Sequence, residues 1–281
     1  MIFYRLRLPF ISKTHKIMKK IVSFLLLVVL FGSCNEYQKA LKSEDVSVKY
    51  KMADTLYGQA KYTKALRLFE QIATEYRGKP QAEKMFYMFA QSYYKTKQFY
   101  LAAYQFESFA SSYPKSEKIQ EASFLAAKSY AILSPVYSLD QADTFKAIEK
   151  MQGFIDRFPN SEYLAEANIL TKELSEKIEK KVYENAKGYN TISDFKSAIV
   201  AFDNFLIDYP GTKYKEDALY YKFESAYQLG INSIPDKMKD RLNVAKVSYQ
   251  NLIKFKGDTK YKEKADEMYA RVEQELQKYT K

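Results

Sequence analysis

One side-chain pattern recurs along most of this 281-residue chain and limits what it can fold into. An alanine is followed four residues later by an aromatic or Met, seven later by an apolar residue and eleven later by an aromatic. The pattern reads Ala65/Phe69/Ile72/Tyr76, Ala102/Phe106/Phe109/Tyr113, Ala147/Met151/Phe154/Phe158 and Ala198/Phe202/Phe205/Tyr209. A fifth set, Ala245/Tyr249/Leu252/Phe255, has its last member one residue early. Offsets of four, seven and eleven place these side chains on one stripe of an α-helix. A second set of apolar positions precedes each stripe: Ala53 and Leu56 before Ala65, Ala90 and Tyr93 before Ala102, and Ala186 and Tyr189 before Ala198, with Tyr62, Phe99 and Phe195 three residues before the key alanine. Small residues let paired helices approach closely, and rings fill the space between neighbours. The expectation is an all-α fold of about five stacked helix pairs.

The breaks between helices repeat as well. Tyr113-Pro114-Lys115-Ser116, Phe158-Pro159-Asn160-Ser161 and Tyr209-Pro210-Gly211-Thr212 are near copies, and Phe255-Lys256-Gly257-Asp258-Thr259 is a looser one. Pro or Gly stops one helix and Ser or Thr can cap the next. Glu117, Glu162, Glu216 and Glu263 then fall where a first-turn acid suits the helix dipole.

Helix pairs of this kind resemble the tetratricopeptide repeat, which implies a right-handed superhelical solenoid with a long concave face. Ala90, Tyr93, Phe99, Ala102, Phe106 and Pro114 match that family's signature positions. Repeat one departs from it, with Arg77 in place of the Pro, and the chain has no Trp. The key alanines are 37, 45, 51 and 47 residues apart, more than a bare repeat needs. The excess is expected as a loop from Ser134 to Asp143, an unbroken helix from Glu162 towards Asn190, and a polar connection from Gly230 to Asp240, with a terminal helix over Tyr261 to Tyr279 as a cap.

Composition removes most chemistry. The one His, His15, and the one Cys, Cys34, both fall within the first 34 residues. The rest of the chain has no imidazole or thiol, which excludes Ser-His-Asp and Cys-His catalysis, His-based zinc sites and disulfides. No phosphate-binding Gly loop or EF-hand loop is present. A carboxylate-only hydrolase or a Mg²⁺ site is what the composition leaves open. The expectation is a protein that is not an enzyme, with no cofactor and no metal. The net charge of +11 overstates its basicity, because residues 1–33 carry six basic residues and no acid; the remainder has 39 basic and 34 acidic residues, a net of +5. Lys and Glu alternate as on a solvated surface, so no nucleic-acid partner is expected.

The first residues read as an address. Lys19-Lys20 precede the apolar run Ile21 to Phe31, and Gly32-Ser33-Cys34 follows. Eleven residues rise only about 16 Å as a helix, too little to span a bilayer core. The segment resembles a bacterial lipoprotein signal, with Phe31 where an aliphatic residue is usual. That resemblance implies cleavage before Cys34, acylation of Cys34 and, with Asn35 following, sorting to the outer membrane. Met18 is the expected true start. The domains expected are therefore a targeting region 1–33, an acylated linker 34–45, three repeats over 46–161, and over 162–281 the long linking helix, two further repeats and the capping helix.

Helix A positions outside the core pattern are Tyr50, Asp54 and Tyr57 in repeat one, Tyr87, Gln91 and Tyr94 in repeat two, and Phe124 and Lys128 in repeat three. Aromatic rings beside polar groups suit recognition of a peptide with aromatic side chains, and these eight residues are the candidate groove. Packing against adjacent helices is the competing role for them. Signal, repeats and long central helix together resemble the BamD family, the lipoprotein partners in the machinery that inserts β-barrel proteins into the outer membrane. The resemblance implies two partners: unfolded outer membrane proteins at the N-terminal repeats, and the POTRA-bearing barrel subunit at about residues 195–281. The alternative expectation is a different periplasmic repeat lipoprotein serving cell-envelope or peptidoglycan assembly.

Overall fold

The computed structural model describes residues 36–279, and the targeting segment with Cys34 lies outside them. The described residues are helical throughout. After a short helix over 36–42 come α1 (Val46–Gly58), α2 (Tyr62–Tyr76), α3 (Ala82–Lys95), α4 (Phe99–Ser112), α5 (Ile119–Leu133), α6 (Ala142–Arg157), α7 (Leu164–Thr191), α8 (Phe195–Asp208), α9 (Lys215–Ile231), α10 (Pro235–Phe255) and α11 (Lys262–Gln277). They form two compact units, one ending at Ile132 and the other beginning at Leu133. This division falls inside repeat three and differs from the boundary expected at 161/162.

In the first unit α1 packs on α2, α2 on α3 and α3 on α4, and α1 also meets α3, the contact that stacks one helix pair on another. The stripe residues Ala65, Phe69, Ile72 and Tyr76 are buried, as are Ala102, Phe106 and Phe109. With Ala53, Leu56, Met85, Phe89, Ala90 and Tyr93 they form one continuous cluster. Alanine recurs at the points of closest helix approach because any larger side chain there would hold the pair apart. The stretch expected as a linker joins this cluster, since Tyr37 and Ala40 of the short N-terminal helix are 5% and 1% exposed.

The second unit follows the same rule, with α7 meeting α9 and α9 meeting α11 across the intervening helix. The uninterrupted run after Glu162 is one 28-residue helix, α7. Ala198, Phe202, Phe205, Ala245 and Leu252 are buried as the stripe requires, but Phe255 is 46% exposed. One residue of slippage turns a side chain by about 100° around a helix, and that carries Phe255 off the buried face. Tyr189 is likewise exposed rather than packed between helices.

The connections are shorter and better bonded than expected. The Gly230–Asp240 stretch is almost wholly helical, because α9 runs to Ile231 and α10 starts at Pro235. Gly230 marks a close approach instead of a break, as a Cβ there would lie 2.9 Å from Leu242 Cδ2. In the Ser134 loop, Lys177 donates to the Ser134 carbonyl and hydroxyl and Lys181 to the Leu139 carbonyl. Gln141, buried, donates to the Val136 and Leu139 carbonyls. Ser116, Ser161, Thr212 and Thr259 accept from the backbone N–H two residues on, but they cap a lead-in turn, and the helices proper begin three residues after each. Glu117 and Glu162 sit in that turn, while Glu216 and Glu263 do lie in first turns.

Candidate functional site

The eight candidate residues lie on helices α1, α3 and α5 of the first unit, the first helix of each of its pairs. The 3.6-residue period sets them there: Tyr50, Asp54 and Tyr57 follow at offsets of four and three on α1, and Tyr87, Gln91 and Tyr94 repeat that spacing on α3.

The four tyrosines are half-buried, not exposed as a free aromatic stripe. Each ring is held by its neighbours: Tyr50 stacks on Tyr76 at 4.9 Å, and Tyr57 meets Tyr62 edge-on at 5.5 Å. Tyr87 meets Phe109 at 5.6 Å, and Tyr94 meets Phe99 at 5.5 Å, both edge-on. Gln91 and Phe124 depart further from expectation, being 6% and 2% exposed. Phe124 belongs to the packed interior, and Gln91 lies buried beside Tyr87. Its amide donates to the Tyr87 hydroxyl at 2.8 Å and reaches Glu121 Oε1 at 3.4 Å. A buried amide with both hydrogens directed at named acceptors fixes those acceptors in place.

Charge surrounds the rings. Lys84 pairs with Asp54 at 2.9 Å, and Lys118 pairs with Glu121 at 3.0 Å while its ammonium lies 5.5 Å from the Tyr87 ring. Lys128 lies 5.5 Å from the Phe124 ring. Burial raises the Tyr57 hydroxyl above its ordinary pKa, with Tyr62 and Glu121 adding to the shift. Burial also raises Tyr87, and the hydrogen-bonded Glu121 carboxylate adds to it. These hydroxyls therefore stay protonated at any physiological pH, as fixed hydrogen-bond donors and acceptors. The surface can grip a polypeptide by hydrogen bonds and ring contacts. Among the described residues no group of three or more His, Cys, Asp or Glu side chains could hold a metal ion.

The pattern of helix faces did not reveal a cleft elsewhere in the same unit. A cleft of about 570 Å³ opens between the turn Arg77-Gly78-Lys79, the start of α3 and the outer side of α4. Its walls include Phe86, Phe89, Tyr104 and Tyr113, and Tyr104 is 61% exposed. The one available signal was Arg77-Gly78 in place of the helix-stopping Pro: Gly78 takes a left-handed conformation (φ 78°), and the turn diverges there from the other repeats.

Comparison with known proteins agrees with the resemblance read from the sequence. The putative outer membrane protein assembly factor BamD of Aquifex aeolicus (strain VF5) is 26% identical, covering 95% of this chain and 92% of that protein. A solved thermophilic tetratricopeptide-repeat protein of Thermus thermophilus is 14% identical, covering 81% of this chain and 98% of its own, with a TM-score of 0.32. The YfiO family, described as outer membrane lipoprotein, matches residues 42–242. The chain therefore belongs to the YfiO family of outer membrane lipoproteins.

Proposed function

We propose that this protein is a lipid-anchored periplasmic scaffold of outer membrane protein assembly. It holds an unfolded β-barrel protein on the first-helix face of α1, α3 and α5, and the second unit docks on the POTRA-bearing barrel subunit. Cys34 carries the lipid. The proposal assigns the chain no catalytic step.

The observation that carries this reading is the set of tyrosines Tyr50, Tyr57, Tyr87 and Tyr94. All four rings are packed against neighbouring rings; Tyr50 lies near the Asp54–Lys84 pair, and Tyr57 and Tyr87 near Glu121 of the Glu121–Lys118 pair. Such a surface loses little conformational entropy when a polypeptide settles on it, because the side chains are already ordered. Membership in the outer membrane lipoprotein family, and the assembly-factor name borne by the Aquifex relative, support the same reading.

Lys84 and Lys118 are more than half exposed and anchor no core, so reversing both leaves the fold standing. Lys84→Glu with Lys118→Glu is expected to weaken binding of a fluorescent peptide copied from the C-terminal strand of an outer membrane β-barrel protein by about tenfold, close to 1.4 kcal/mol. Fluorescence anisotropy reads the affinity and circular dichroism the helix content. Unchanged affinity with unchanged helix content removes this face from the function.

A further inference from the structure

We infer that the first unit lies directly against the membrane, with a basic face formed by the outer side of residues 36–42 and the start of α2 resting on anionic phospholipid headgroups. The inference builds on the anchoring of Cys34 proposed above and adds which face of the protein the anchor presents.

The first observation is how little slack the anchor has. Tyr37 and Ala40 are buried in the main cluster of the first unit, and the Lys64 ammonium lies 5.2 Å from the Tyr37 ring. The chain therefore joins the folded body only three residues after Cys34. Three peptide steps reach at most about 11 Å. A lipid on Cys34 holds the surface around Tyr37 at the headgroup layer and cannot leave the unit swinging on a long tether.

The second observation is what that surface carries. With Tyr37 and Ala40 turned inward, Lys39 and Lys42 occupy the opposite side of the short helix, exposed. On α2 and the residue before it, Lys61, Lys64 and Arg67 follow at intervals of three, along the flank where Lys64 meets Tyr37. None of these five is ion-paired with a carboxylate among the described residues. Of the acids in the same stretches, Asp45 is engaged as the cap of α1, accepting from the Ser47 N–H, and Glu70, three residues after Arg67, accepts from the Tyr93 hydroxyl, while Glu36 and Glu44 flank the two lysines. Cations left without a carboxylate partner beside a lipid attachment point match an anionic leaflet. Each basic residue near such a surface strengthens binding about fivefold.

The test uses the chain from residue 34 onward carrying Cys34→Ser, so that no lipid contributes, and measures co-sedimentation with vesicles. Binding is expected to vesicles of phosphatidylcholine mixed with phosphatidylglycerol, to weaken with added salt, and to be far weaker to phosphatidylcholine alone. Lys39→Glu, Lys42→Glu and Arg67→Glu together are expected to reduce it at least tenfold with helix content unchanged. Lys64 is left in place because it packs on Tyr37. Absent or equal binding to the two vesicle types overturns the inference, and so does a triple variant that binds as the parent does. Mass spectrometry of Cys34 in protein purified from its own membranes separates the two readings. An unmodified Cys34 sinks the anchor, whereas charge-independent vesicle binding sinks the basic face alone.

Discussion

Tyrosine does different work in the two units. In the second unit Tyr220 stacks on Tyr261 at 3.8 Å, Tyr249 on Tyr269 at 4.0 Å and Tyr183 on Tyr214 at 4.7 Å, all nearly parallel. Their hydroxyls are drawn into internal bonds, Tyr261 to Asp217 and Tyr249 to Asp266. Lysine–carboxylate pairs tie neighbouring helices and turns of this unit: Lys213–Glu176, Lys246–Glu273, Lys256–Glu216 and Lys264–Glu224. In the first unit the buried residues make one continuous cluster, and the tyrosines of the first-helix face pack their rings inward. Both units are built on buried apolar clusters and both carry polar ties between helices, such as Lys84–Asp54 and Tyr93 to Glu70 in the first, but the stacked tyrosine pairs with ring centroids within 4 Å lie in the second.

The largest expected effect probes the first unit. Phe106, fully buried where α4 faces α3, should cost about 3–5 kcal/mol on replacement by Ala. Hydrogen exchange should show the loosening concentrated before Ile132; equal loosening on both sides would contradict two separately organised units. Next is Gly230→Ala, whose methyl meets Leu242 and should cost about 1–3 kcal/mol in the second unit, read by urea denaturation. A smaller effect tests the polar bracing. Glu216 is held down to about 2 by the Thr259 hydroxyl and Lys256, with the Lys260 N–H contributing, against a modest opposing effect of burial. Its folded pKa lies below the unfolded value, so its stabilisation is complete above about pH 4.5 and is lost as pH falls towards 2. Glu216→Gln should cost about 1–2 kcal/mol at neutral pH and flatten that part of the acid profile. An unaltered profile would show that the bracing does not stabilise the unit.

Much of the fold was legible because helical period and alanine spacing are set by geometry that the sequence carries directly. The stripes, the 28-residue helix and the capping helix all follow from it. Phe255 and the Gly230 region show where that reading fails. A one-residue shift is harmless to composition but rotates a side chain out of the core, and a glycine can mark either a break or a tight helix contact. At the candidate site the periodicity placed Tyr50, Tyr57, Tyr87 and Tyr94 on one face. It could not tell that Phe124 and Gln91 are buried, because the chain is rich in aromatics on both faces. The Arg77–Tyr113 cleft was not legible, since it arises from how a divergent turn sits against α4.

The central claim is that the first-helix face of α1 and α3 holds the substrate polypeptide. Photo-crosslinking tests it most directly, with a photoreactive residue placed in turn at Tyr57, Lys84 and Tyr94, and at Tyr104 on the cleft side. Adducts with unfolded outer membrane β-barrel proteins from the first three positions and not from Tyr104 are the predicted result. Adducts from Tyr104 alone, or from none of the three, would contradict it.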